Sequence, residues 1–363
     1  MSAPDSRLPE LISLARESSS ARRRTVLREL TNSFFGVSGL GEVETEAFGV
    51  ILAEVARDME AAVRAELAER FGPALQAPRG LVRTLADDSE AAVATAVLRA
   101  SPLLTDEDLL PVVLKHGQDH LRAVSARPQV SEAVSDVIVA RGDDETLGTL
   151  LRNDCANLSR RASEAAVERA KLNPALHEVT VNRASLPPDL LNEMYFVVEI
   201  RLRQTILEQN ARMDPALLES ALRHGRVQVA TRDGVLPEDY AETLAKIEQL
   251  QAANRLTPSV LAGLMRGKSK TAFLIALARL ADVDFHTARQ VVERRELDAL
   301  AVVCRAADLD RALFLTCALV LLNEDGDALG KARSYAEMYA ALGRDTAQRT
   351  LRFWHRRREA VAA

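Results

Sequence analysis

PLLTDEDLLPVVLKHGQDHLRAVSARPQVSEAVSDVIVARGDDETLGTLLRNDCAN, residues 102–157, decides the fold. Pro102 and Pro128 lie 26 residues apart, and another step of 26 lands on Asn153-Asp154. Three residues beyond each landmark stand Thr105, Ser131 and Asn157. All three can accept a hydrogen bond from the free amides at a helix start. Four residues before each landmark stand Leu98, Val124 and Leu150, all apolar. The unit is helix, turn, helix, break and cap. One such unit cannot bury its apolar face, whereas a stack of them can. Gly117 and Gly142 mark the turn inside successive units. Pro111 falls inside the helix that starts near Thr105 and is expected to kink or shorten it.

Working outward, the chain divides into three segments. Residues 1–75 read as N-terminal helices capping the array. Val26, Leu27, Leu30 and Phe34 share one face, and Val43 to Arg70 forms one long helix or a broken pair. Residues 76–252 read as the repeat array, most regular up to about 185. Within them Leu186-Pro187-Pro188 opens a long helix from Leu190 to Gln209, and Asp214-Pro215 and Leu236-Pro237 open others. Residues 253–363 read as a C-terminal helical bundle with a basic terminal helix. The fold class expected is all-α, a right-handed HEAT-like solenoid continuing into a bundle. The handedness rests on likeness of shape to HEAT repeats.

Composition agrees with close-packed helices. Aromatics are only 4% of the chain, so the core must be built from Ala, Leu and Val, which suits a β-sandwich poorly. The net charge of −5 gives no broad pull toward nucleic acid or anionic membranes. Cys155, Cys304 and Cys317 make no metal-binding spacing and read as reduced thiols, which points to the cytoplasm. The N-terminal stretch lacks the pattern of a secretory signal. The most apolar run, Ala312 to Leu322, is too short to span a bilayer and reads as a buried helix.

Several stretches resemble one bacterial family. They are SPLLTDEDLL at 101–110, SARPQVSEAVSDVIVARGDDETLGTLLRND at 125–154, LPPDLLNEMYFVVEIRLRQTIL at 186–207, NRLTPSVLAGLMRGKSKTAFLIALARLADV at 254–283, and RTLRFWHRRR at 349–358. The resemblance, over about residues 20–358, is to the family catalogued as domain of unknown function 2336. It implies a helical repeat fold and brings no assigned catalytic residues.

No complete catalytic motif emerges. His116 and His120 have the spacing of two ligands on one helix face, but GQD follows the first where a metalloprotease has Glu. Asp87-Asp88, Asp106-Glu107-Asp108 and Asp143-Asp144-Glu145 all read as acidic helix starts. Gly263-Leu264-Met265-Arg266-Gly267-Lys268-Ser269 is one residue short of a phosphate loop. Gly36-Val37-Ser38-Gly39 fails the nucleophile-elbow spacing. No catalytic, cofactor-binding or metal-ligating residue is therefore expected, and no cofactor. Tyr195, Glu199 and Arg203 recur every four residues and form either an internal seam or an exposed binding strip, the seam being favoured. Arg22-Arg23-Arg24 and Arg356-Arg357-Arg358 are basic clusters near the two ends, better read as solvated faces or contacts with an acidic partner than as a nucleic-acid groove. The expected function is a non-catalytic scaffold or adaptor that binds a protein partner. Homo-oligomerisation stays open, membrane insertion is not expected, and a nucleic-acid-binding or glycosylase-like repeat module is the alternative.

Overall fold

A computed structural model of the chain describes residues 20–37, 39–224, 236–267, 269–322 and 328–355. The described residues are helical apart from turns and one isolated parallel bridge between Val130 and Ala156. They form two compact units, residues 1–185 and 186–363. The break falls at the double proline. The boundaries expected at 75/76 and 252/253 lie inside these units.

The first unit holds α1 (Ser20–Gly36), α2 (Glu42–Arg57), α3 (Ala61–Phe71), α4 (Arg79–Ala86), α5 (Ala91–Ala100), α6 (Asp106–Lys115), α7 (Gln118–Ser125), α8 (Glu132–Arg141), α9 (Asp144–Arg152), α10 (Arg160–Leu172) and α11 (His177–Val181). Val43 to Arg70 is thus a broken pair. Packing is between next-but-one neighbours: α3 on α5, α5 on α7, α7 on α9 and α9 on α11, and in a second series α6 on α8 and α8 on α10. Leu98 in α5, Val124 in α7 and Leu150 in α9 are fully buried, at equivalent positions of the first series. The second series buries Val113 on α6, Ile138 on α8 and Ala166 on α10. Helices of eight to ten residues such as α5 to α9 are marginal alone, so this stacking supplies their stability.

The caps explain the starts. Thr105 and Asp108 form a reciprocal capping box on α6, and Ser131 Oγ accepts from the Val134 amide on α8. The third start is displaced. Ser159, not Asn157, caps α10, because the Asn157 amide donates to the Val130 carbonyl at 2.9 Å and holds the chain extended for two more residues. Pro111 does not shorten α6, which runs through it to Lys115. Asp87-Asp88 is a further departure from expectation. It lies at the C-terminal end of α4, where Asp88 Oδ1 accepts from the Glu90 amide, rather than in a first helical turn.

The second unit holds α12 (Pro188–Glu193), α13 (Ile200–Arg212), α14 (Pro215–His224), α15 (Tyr240–Ala252), α16 (Pro258–Arg266), α17 (Lys270–Ala281), α18 (Phe285–Glu293), α19 (Leu297–Ala306), α20 (Arg311–Leu321), α21 (Ala328–Ala341) and α22 (Arg344–His355). The long helix expected from Leu190 is interrupted. A short 3₁₀ turn at Met194–Phe196 separates α12 from α13, and its Tyr195 and Phe196 rings lie 4.9 and 4.8 Å from Trp354 of α22. Burial of this aromatic cluster outweighs local helix propensity. Two helices of the unit are buried over eight-residue runs, α17 from Thr271 to Ala278 and α19 from Leu297 to Cys304. The more apolar α20 keeps Val320 at the surface. Asn192 and Asn210 exchange two side-chain hydrogen bonds, at 3.0 and 2.9 Å, and Asn210 also donates to Thr350, which ties α12, α13 and α22 together.

Replacing Leu150 by Ala is expected to cost about 2–5 kcal/mol in denaturant melts. A loss below about 0.5 kcal/mol would show that α5, α7 and α9 do not share one packed register.

Candidate functional site

Each helix end leaves carbonyl groups that need donors. In the first unit, side chains from the following repeat supply them. Arg127 donates through its two Nη groups to the Leu98 carbonyl and, at 2.8 Å, to that of Ser101. Asn153, 26 residues on, donates through Nδ2 to the Ser125 carbonyl at 2.9 Å and to that of Arg127 at 2.7 Å. Arg183 takes the next place and reaches the carbonyls of Leu150, Leu151, Asn153 and Ala156. The second helix series has its own copies: Arg141 donates to Val113 and His116, and Arg169 to Val139 and Gly142. These residues are fasteners between successive helices of each series.

Fastener length sets the spacing of the loops. Asn153 is short, so the loops at 127–131 and 153–157 must approach, and the Val130–Ala156 bridge forms between them. Arg127 is long. Between its loop and the preceding one lies a groove of about 820 Å3, bordered by Ser101, Asp106, Arg127, Gln129, Val130 and Cys155. That volume is within the range of ligand sites. Arg127 is 7% exposed, and its Nε has no acceptor among the described residues. Burial pushes its guanidinium below the usual arginine value, and the Asp106 charge partly offsets this. Cys155 is exposed, whereas Cys304 and Cys317 are buried.

The match to known families fits this layout. A model of uncharacterised proteins conserved in bacteria (DUF2336) covers residues 93–352, from α5 to α22. The chain belongs to the DUF2336 family. No curated protein and no solved structure matches it. The groove and its fasteners lie within the DUF2336 region.

The residues singled out in the sequence fall elsewhere. Tyr195 sits in the 3₁₀ turn and is fully buried, Glu199 is the exposed residue preceding α13, and Arg203 is on α13. They form no common exposed strip. Arg203 instead donates from Nη1 to both Asp298 oxygens at 2.9 Å, with Glu296 3.6 Å from Nη2. Its guanidinium also lies 5.5 Å from the Tyr195 ring centroid. Burial, then the Asp298 charge, pushes the Tyr195 phenol well above its usual value. Tyr195 Oη, Glu296 Oε2 and Trp354 Nε1 are buried without hydrogen-bond partners among the described residues. This cluster is internal architecture of the second unit.

His116 and His120 stack at 4.3 Å, and each uses Nε2 on the α4–α5 turn: His116 on Asp87 Oδ1 at 2.7 Å, His120 on the Asp88 carbonyl at 2.9 Å. They act as inter-repeat contacts. Among the described residues no group of three or more His, Cys, Asp or Glu side chains is placed to hold a metal. No described helix is long and apolar enough to cross a membrane. Of the basic clusters, Arg24 pairs with Glu60 at 3.4 Å, while Arg356-Arg357-Arg358 lies outside the described residues.

Sequence reading missed the groove because Arg127 reads as an ordinary surface cation. The signal available was position: Ser101, Arg127 and Asn153 each stand one residue before a landmark of the repeat.

The charged cluster around Arg203 generates two predictions. Burial raises the Glu296 carboxyl above its usual range, with the Arg203 charge only partly opposing. A raised carboxyl stabilises the fold at low pH, and that contribution is lost as pH rises through the folded value. Glu296→Gln is therefore expected to gain stability relative to wild type as pH rises above about 4.3. A difference in melting temperature that stays flat from acid to neutral pH would contradict it. Asp298→Asn leaves Arg203 short of its closest partner and is expected to cost about 3–5 kcal/mol in urea melts.

Proposed function

We propose that this DUF2336 protein is a non-catalytic adaptor acting in the cytoplasm, and that its first unit is a right-handed HEAT-like solenoid binding a protein partner. The observation that carries it is the groove along the loops of the array, held open by Arg127. Its borders mix charged, amide, hydroxyl and apolar side chains without a catalytic grouping. Ser131 Oγ is occupied as the cap of α8, and Asp106 belongs to the first turn of α6. Stacked repeats present long surfaces on which many side chains share recognition, with no single reactive centre. The charge of the groove supports a protein over nucleic acid: Arg127 uses both Nη groups on carbonyls, and Asp106 stands exposed at the border. No row of basic side chains lines it to neutralise phosphates.

Affinity capture from native cells at physiological salt tests the proposal. The wild-type chain is expected to retain a saturable protein partner. Gln129→Trp, which places bulk at an exposed border residue, is expected to lose it while keeping the helical circular dichroism spectrum. Titration with DNA and RNA is expected to show weak binding that vanishes as salt rises. Tight nucleic-acid binding without a protein partner would reverse the proposal.

A further inference from the structure

We infer that the groove between the 101–106 and 127–131 loops takes an extended peptide segment of a partner, paired in parallel with Gln129–Ser131; this rests on the adaptor function proposed above and names the form of its ligand. The neighbouring rung shows the geometry. The Val130 amide faces the Cys155 carbonyl at 3.5 Å, and the Asn157 amide donates to the Val130 carbonyl at 2.9 Å. Both polar groups of Val130 therefore point toward the following loop. Along an extended chain the groups of the flanking residues point the opposite way. The Gln129 carbonyl and the Ser131 amide thus face the groove, and neither has a hydrogen-bond partner among the described residues.

The repeat specifies what is missing. Stepping back by 26 residues from the Val130–Ala156 bridge, Leu104 should bridge Val130, with its amide donating to Gln129 and its carbonyl accepting from Ser131. That rung is not formed. The preceding loop is held elsewhere: the Leu103 amide donates to Ser101 Oγ at 3.3 Å, and the Leu103 carbonyl accepts from Arg79 at 3.5 Å. A strand from another chain supplies both missing partners, as in recognition by strand addition.

Arg127 is committed to the fold rather than to a ligand: both Nη groups donate to carbonyls, and Nε is buried. Asp106 at the border disfavours anions.

The exposed thiol gives the assay. The full-length protein, labelled at Cys155 with an environment-sensitive fluorophore, is titrated with linear peptides selected from a random displayed library on the unlabelled chain. A saturable fluorescence change is expected, with slowed hydrogen exchange at the Ser131 amide. Ser131→Pro deletes that donor, and affinity is expected to fall about three- to tenfold. Gln129→Trp is expected to abolish the response without touching the buried core, which covers the case in which Ser131→Pro destabilises α8. Asp106→Asn is expected to leave the affinity of uncharged peptides within about twofold, since the pairing is through backbone. Peptides that bind without protecting Ser131 would overturn the groove assignment while leaving a protein-binding function standing. A library yielding no binder, or a fluorophore responding to oligonucleotides alone, would overturn the peptide ligand. If cell capture then also returns no partner, the adaptor function falls with it.

Discussion

The first unit depends on one interaction, a side chain in the last turn of one helix or just beyond it donating to the carbonyls that end the preceding helix of its series. Helices of eight to ten residues have little room for internal satisfaction, since the last four carbonyls of each find no partner within the helix. Left buried and unpaired, each such group costs about 1–3 kcal/mol. Arg127, Asn153 and Arg183 meet that need for one helix series, and Arg141 and Arg169 for the other. A hydrophobic seam alone would let repeats slide. Directed hydrogen bonds from planar groups fix the distance and register of each step.

Distance is where the fasteners differ. A carboxamide two bonds from the backbone must bring its loop against the preceding one, and the parallel bridge beside Asn153 is the result. A guanidinium reaches farther and needs no such approach. The groove beside Arg127 is the space left over. At these two steps the short fastener accompanies the closed arrangement and the long one the open arrangement. Backbone groups that pair within the protein at the closed step go without partners at the open step among the described residues.

How much of this was legible depends on whether local chemistry or tertiary contact decided the outcome. Thr105 and Ser131 were legible because capping is a local bond between a side chain and amides two or three residues on. Asn157 was not, since its amide was taken by Val130, 27 residues away. The Tyr195–Glu199–Arg203 spacing suggested one helix, but burial of Tyr195 and Phe196 against Trp354, more than 150 residues later, broke it. Helix ends in the second unit were hidden for another reason. Asn254, Asp282, Arg295 and Asp308 take positive φ values of 54–57°, a conformation that usually calls for glycine. Tertiary packing holds them there without the glycine that would have marked the stop.

The fastener at Arg127 is also the costly one. Its Nε is buried without an acceptor, and burial disfavours its charge. Asn153 fills the equivalent place with a neutral group, and both its amide hydrogens go to carbonyls. A chain tuned for stability alone would favour the asparagine solution at both steps. Buried polar groups left unpaired in an otherwise satisfied fold mark places where another demand competes with stability. The orphaned donor belongs to a side chain that borders the groove, although the Nε atom itself is buried. In the second unit, by contrast, the half-buried Arg203 finds its carboxylates within its own unit. The open step is therefore the place where groups that are paired at the neighbouring step go unpaired among the described residues.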